Sequence, residues 1–374
     1  MLLGVAGRLR LTAGDNVVTR TGPTSSPCSW RARRTHRRCR LAGRLQAALA
    51  TPFEIDGQSL VISASIGVAE TATANGGRGA ELLRAAGVAR SWAKALGGGR
   101  HVVFDPERDT AESARFALLS DLWGAIERQE FRLAFQPLVQ LGGGRVDGAE
   151  ALVRWQHPQH GVVGPGRFIE LAEHSGAIVP LGRWVLEAAC AQAASWWREL
   201  GDGAPFVSVN VSPVQLAQPG WVHEVTGVLT ATGLPARLLQ LEITEQAVLG
   251  DEGVALEALN QLRAAGVRLA LDDFGTGYSS LAWLRRLPVH ALKIDGSFVD
   301  GLRTEAPARD SAIVLALIQM AHALDLEVTA EWVETDLQAK RLTEMGCDVG
   351  QGRWFGDAGP GEWVPELWRR SIGP

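Results

Sequence analysis

Six carboxylates, Glu150, Glu242, Asp272, Asp273, Asp295 and Glu331, stand at the ends of short aliphatic stretches, and Gln136, Asn210, Lys293 and Gln351 occupy equivalent positions. Taken singly, each is most simply a helix cap or a surface charge; Asp272 and Asp273, for instance, could cap a helix after Gly277. Taken together they are harder to dismiss. If these stretch ends converge, six like charges repel, and the repulsion is tolerable chiefly when divalent cations neutralise it. The candidate donors are oxygen atoms, with no His or Cys placed among them, which selects Mg²⁺ or Mn²⁺ over zinc. Two ions roughly 3.5–4 Å apart would activate a water and stabilise both oxygens of an in-line phosphoryl displacement. Lys293 would supply a fixed positive charge. Gly275 and Gly277, flanking Thr276, would let the segment after the paired aspartates approach metal or phosphate closely. The chemistry implied is metal-dependent hydrolysis of a phosphoester.

Positioning such a set requires elements that end on one face. The stretches 131–135, 146–153, 206–211, 239–243, 267–271, 291–294, 327–330 and 348–350 read as strands, separated mostly by helical periodicity. Eight strands in residues 112–374 match the size and count of an α/β fold, a (β/α)8 TIM-like barrel, whose C-terminal strand ends surround one cleft.

The preceding residues differ in kind. Residues 41–108 read as a partial α+β domain: a helix over 41–50, a hairpin turning at Asp56-Gly57, a helix over about 80–96 stopped by Gly97–Gly99, and a last strand at His101. Residues 1–40 hold nine Arg against one Asp, a charge of +8, which leaves −12 for the rest of a chain whose total is −4. The run from Arg31 to Arg40 has no apolar periodicity and no accompanying aromatic element, so it reads as disordered and not as a nucleic-acid surface. No stretch is long and apolar enough to span a bilayer. Four cysteines without a CxxC pair suit free thiols and a cytoplasmic location.

From about Leu119 to Phe355 the chain resembles the EAL family, the cyclic di-GMP phosphodiesterases. The resemblance rests on Phe135-Gln-Pro, Glu150-Ala-Leu-Val-Arg-Trp, Asn210-Val-Ser, Glu242-Ile-Thr-Glu, Asp272-Asp-Phe-Gly-Thr-Gly-Tyr-Ser-Ser-Leu, Leu292-Lys-Ile-Asp and Gln351-Gly. It implies that Glu150, Asn210, Glu242 and Asp272 hold one metal ion, and Asp272, Asp273 and Asp295 a second. It places Gln136, Leu152, Arg154 and Gln351 at substrate contacts, Lys293 on the attacking water, Glu331 in the supporting network, and Glu245 on the loop after Asp273. It also implies a linear pGpG product and a homodimer formed through the barrel. The alternative is a catalytically silent receptor that binds cyclic di-GMP and signals through a neighbour.

Three positions depart from the family pattern: Trp332 stands where a glycine follows the glutamate, Gly296 where an arginine is frequent, and Arg353 where an aromatic is usual. Strand alternation would carry Trp332 away from the cleft into the helix layer, where its volume must be absorbed. Residues 41–108 are similar to the C-terminal half of a GGDEF diguanylate cyclase domain, through Ser65-Ile-Gly-Val-Ala and Ala93-Lys94. The acidic turn of a cyclase is missing, and by that alignment Met1 falls inside the domain, which implies a truncated start without its sensor. Residues 23–40 fit an out-of-frame translation of the missing part: suitable codons for Thr24–Trp30, read one base earlier, give Asp-Glu-Phe-Ala-Val-Leu-Val.

Overall fold

The computed structural model describes residues 2–13, 17–18, 28–29, 35–55, 57–72, 79–249, 252–275, 284–304 and 308–371. They fall into two units, Met1–Phe116 and Ala117–Pro374, with the division inside helix Pro106–Glu127.

In the first unit, strand Ile66–Val68 runs into helix Gly79–Ala95 and returns as the parallel strand His101–Val103. Gly67 makes this crossover tight: a Cβ there would come within 1.9 Å of the Ala86 carbonyl oxygen, so only glycine lets the helix lie on the strand. Ala85, Ala89, Trp92 and Phe104 form its small core, with the two rings stacked at 5.8 Å. The hairpin Phe53–Ile55 with Gln58–Leu60 turns through Gly57, whose φ is +80°; Asp56 lies outside the described residues. Residues 2–13 are helical, and the next helix begins at Thr35, inside the arginine run that was expected to be disordered. Residues 19–27 and 30–34 lie outside the description.

In the second unit, eight strands close a barrel: β1 Phe131–Gln140, β2 Val146–His157, β3 Phe206–Val211, β4 Leu239–Thr244, β5 Arg268–Phe274, β6 Ala291–Ile294, β7 Glu327–Ala330 and β8 Val349–Gln351. Neighbours pair in sequence order from β3 to β8, β8 pairs with β1, and β2 pairs with β3 to complete the ring. One strand breaks the all-parallel expectation. β1 is antiparallel to both β8 and β2, because the five residues 141–145 between β1 and β2 can form a hairpin but not a crossover helix.

Alternation along the strands decides what lies inside. Val207, Val209 and Val211 of β3, Leu239, Leu241 and Ile243 of β4, Leu269 and Leu271 of β5, and Leu292 and Ile294 of β6 belong to the apolar core. Their intervening neighbours Ser208, Asn210, Gln240, Glu242, Asp272 and Lys293 therefore share the opposite, barrel-interior face. Helix Ile178–Leu200 shows how the outer layer covers the apolar side. It buries Leu181, Val185, Leu186, Ala189, Cys190 and Ala193 at three- and four-residue spacing, then stops at Gly201, whose φ is +68°.

Candidate active site

Lys293 is the centre of the interior face. Its side chain is buried among four carboxylates: Nζ lies 2.6 Å from Glu331 Oε1, 2.7 Å from Glu242 Oε2, 3.4 Å from Asp272 Oδ1 and 3.6 Å from Glu150 Oε2. β6 brings the lysine, β2, β4 and β5 bring three of its partners, and the residue just past β7 brings the fourth. Residues spread over 182 positions thus meet within one side chain's reach, as the convergence of strand ends requires.

Two of these carboxylates, Glu150 and Glu242, are held from a second direction. Glu150 accepts from Asn210 Nδ2 and from Gln351 Nε2, both at 2.6 Å. Gln351 Nε2 also donates to Gln136 Oε1 at 3.2 Å, and Gln136 donates to the Gly356 carbonyl. Gln136 arrives from the middle of the antiparallel strand, paired in register with Glu150. Glu242 Oε1 accepts from Ser208 Oγ at 2.6 Å, whose oxygen accepts in turn from Gln240 Nε2 at 3.1 Å. Arg268 donates to Gln240 Oε1 at 3.3 Å and to Glu327 at 2.6 Å.

Ser208 and Gln240 were not picked out from the sequence. The signal that could have found them is the two-residue period: each precedes a site residue, Asn210 or Glu242, by one full alternation on the same strand.

Charge is out of balance in this cluster. Burial pushes the Glu242 carboxyl well above its ordinary range, and the nearby Glu150 adds to the effect. Burial likewise pushes Glu331 up to about 7, against the pull of Lys293. For Glu150 burial acts upward too, but Lys293 and the donors on Gln351 and Asn210 outweigh it and hold the group low. Lys293 itself stays firmly protonated, because the surrounding carboxylates overcome its burial. Further positive charge fits here. Oxygen atoms of Asp272, Asp273 and Glu331 lie within 4.8 Å of one another, and the buried Asp272 Oδ1 accepts no hydrogen bond, its 3.4 Å approach to Lys293 being an ion pair only. An oxygen-only set with an orphaned carboxylate oxygen is suited to a hard divalent cation.

The remaining sequence candidates are distributed around this centre. Asp273 sits at a break in the β5–β6 register with φ +53°. Asp295 Oδ1 accepts from the Ser297 backbone N–H at 3.0 Å and caps the helix Gly296–Asp300, so one of its oxygens is engaged locally. Glu245 is buried at the start of helix Glu245–Leu249; the loop it was expected to hold, with Thr276 and Gly277, lies outside the described residues. Gln136, Glu150, Leu152, Arg154, Asp272, Glu331 and Gln351 line one open cleft of about 460 Å³, together with Trp332 and Arg353.

Trp332 corrects an expectation. β7 ends at Ala330, so alternation no longer applies two residues later; Trp332 has φ +55°, is 63% exposed and faces the cleft instead of entering the helix layer.

Residues 120–358 match the family model for the EAL domain. The chain belongs to the EAL-domain family. Among curated relatives of this EAL chain, the Pseudomonas aeruginosa protein MucR, named a bifunctional diguanylate cyclase/cyclic di-GMP phosphodiesterase, is 38% identical over 97% of this chain and 52% of its own length. The cyclic di-GMP phosphodiesterase NbdA of the same species is 40% identical over 84% of this chain and 40% of its own. The EAL chain therefore spans about half or less of these two relatives. An uncharacterised protein of Mycobacterium tuberculosis is 44% identical over 70% of this chain and 86% of its own. Among solved structures, the MucR phosphodiesterase in complex with c-di-GMP superposes with a TM-score of 0.63 at 43% identity, covering 66% of this chain and 99% of that one. The EAL domain of Mycobacterium smegmatis DcpA gives 0.53 at 35%, covering 65% and 97%. No helix among the described residues is long and apolar enough to cross a membrane.

Proposed function

We propose that this EAL domain hydrolyses cyclic di-GMP to linear pGpG in the cytoplasm, using two Mg²⁺ or Mn²⁺ ions. The observation that carries the reading is Lys293, buried among four carboxylates of which three, Glu150, Asp272 and Glu331, line an open cleft. Similarity to relatives named as cyclic di-GMP phosphodiesterases supplies the substrate. Glu150, Asn210, Glu242, Asp272, Asp273 and Asp295 would hold the ions, and the Asp272, Asp273 and Glu331 cluster adds Glu331 to that set. When bound, such ions lower the pKa of water and neutralise charge developing on phosphate.

The chain's own residues orient the reaction. Gln351 and Asn210 fix Glu150 through both of its oxygens, and Ser208 fixes Glu242. Lys293 presents a permanently protonated ammonium to orient the attacking water. Arg154 and Gln136 line the cleft where the substrate's phosphates and bases must lie, with Leu152 as an apolar wall. Water oxygen bonds to phosphorus, the bond to one 3′ oxygen breaks, and that oxygen leaves carrying a proton. The family resemblance implies a homodimer, and residues 41–108 are read as the remaining half of a cyclase domain.

Incubation of the purified chain with cyclic di-GMP and Mn²⁺, with chromatography of the products, tests this function. Formation of pGpG that is lost in Glu150→Ala supports the enzyme; tight binding by the unsubstituted chain without turnover supports the silent receptor instead.

A further inference from the structure

Trp332 is held in a conformation that its side chain disfavours. A bulky residue at φ +55° is a true outlier, and such strain persists only where the surroundings impose it. Here both flanks impose it. The Glu331 N–H donates to the Ile294 carbonyl at 3.2 Å, the Val333 N–H donates to the Gln351 carbonyl at 2.9 Å, and Val333 is fully buried. The backbone is pinned to β6 on one side and β8 on the other.

The indole is not spent on packing. It is 63% exposed and lines the cleft next to Glu331, which touches Lys293. It also has a fitted seat. A Cβ at the buried Gly296 would lie 2.4 Å from the Trp332 Cγ, 2.5 Å from Cδ1 and 2.7 Å from its Cβ, so the bare glycine backbone is what lets the ring lie where it does. Gly296 and Trp332, 36 positions apart, act as one unit: a seat and a plate.

An exposed indole on a pinned backbone, beside a phosphate-handling centre, suits one kind of contact. Aromatic side chains stack on nucleobases whatever the base, through the π-face each base presents. We propose that Trp332, seated on Gly296, is the platform on which a purine base of the substrate stacks, so that this pair sets nucleotide affinity more than the rate of bond cleavage. The inference rests on the phosphodiesterase reading above.

The test is steady-state hydrolysis of cyclic di-GMP by the full chain and by Trp332→Gly, Trp332→Phe and Gly296→Ala, with thermal unfolding of each. Trp332→Gly raises KM by roughly 5- to 150-fold, the range of one base stack, and lowers kcat by less. Trp332→Phe keeps a smaller plate and falls between. Gly296→Ala pushes a methyl into the indole and raises KM in the same direction. The unfolding midpoint of Trp332→Gly stays near that of the unsubstituted chain, since glycine meets the left-handed backbone without strain. An unchanged or lower KM in Trp332→Gly overturns the platform while leaving the phosphodiesterase intact. A midpoint that collapses together with kcat assigns Trp332 a structural role and overturns it as well. Absence of both binding and turnover in the unsubstituted chain overturns the phosphodiesterase reading and the platform with it.

Discussion

Replacing Ser208 by alanine removes the one hydroxyl between Gln240 and Glu242. In the structure Ser208 is fully buried, donates to Glu242 at 2.6 Å and accepts from Gln240 at 3.1 Å. Alanine cannot do either, so a carboxylate oxygen and an amide N–H are left without those partners in the barrel interior. A hydrogen bond to a charged group contributes about 1.5–3 kcal/mol, and a buried polar group left unsatisfied costs about 1–3 kcal/mol. Those ranges overlap in what they count, and a combined loss of about 2–3 kcal/mol follows. For a unit of this size that lowers the unfolding midpoint by roughly 4–12 °C. Thermal unfolding of the barrel, followed by tryptophan fluorescence, measures it. The relay makes a second, sharper demand: Gln240→Ala removes the other end of the same bond, so the double variant should cost at least about 1 kcal/mol less than the sum of the singles. A fall of under about 2 °C in Ser208→Ala, or strictly additive costs, would refute the relay.

Lys293→Met leaves Glu150, Glu242, Asp272 and Glu331 without their shared ammonium, and breaking a buried ion pair from one side costs about 3–5 kcal/mol. In chelator the variant should therefore unfold well below the unsubstituted chain, and added Mg²⁺ should raise its midpoint by more; equal shifts in the two proteins contradict this. Burial pushes the Cys190 and Cys347 thiols up to about 12, whereas unfolded cysteines titrate near ~8.5. The neutral thiols' contribution is therefore complete below ~8.5 and is lost as pH rises toward about 12, at up to about 1.4 kcal/mol per pH unit and thiol. Both should also resist thiol reagents in the native state at mildly alkaline pH, and rapid modification there would count against their burial. Sequencing the gene checks the reading-frame proposal, which fails if the codons for Thr24–Trp30 do not yield Asp-Glu-Phe-Ala-Val-Leu-Val one base earlier.

The sequence carried the barrel well because its strands are short, apolar on one face and ended by chemistry-bearing residues, so β3, β4, β6 and β7 were placed to within a residue. β1 escaped notice as antiparallel because direction is not written in a strand's composition; only the shortness of residues 141–145 hints at it. Of the site, the charged and amide residues at strand ends were visible, as were Gln136 and Glu150 in mid-strand, whereas the ordinary polar residues behind them were not. Asn210 and Glu242 stand where strands finish, but Ser208 and Gln240 are ordinary residues until alternation turns them inward. Trp332 failed for a related reason. Extrapolating alternation beyond Ala330 assumed a strand that had already ended, and a positive φ reversed the outcome. Asp295 shows the opposite case, since the helix-capping explanation and the metal-site explanation apply to the same carboxylate.

The most direct measurement is the mass of the nucleotide product formed from cyclic di-GMP by the purified chain with Mn²⁺ in water enriched in the heavy oxygen isotope. Water-dependent cleavage of a single phosphodiester predicts linear pGpG carrying one solvent-derived oxygen on its terminal phosphate. Recovery of unchanged cyclic di-GMP, or of pGpG without the label, contradicts the account.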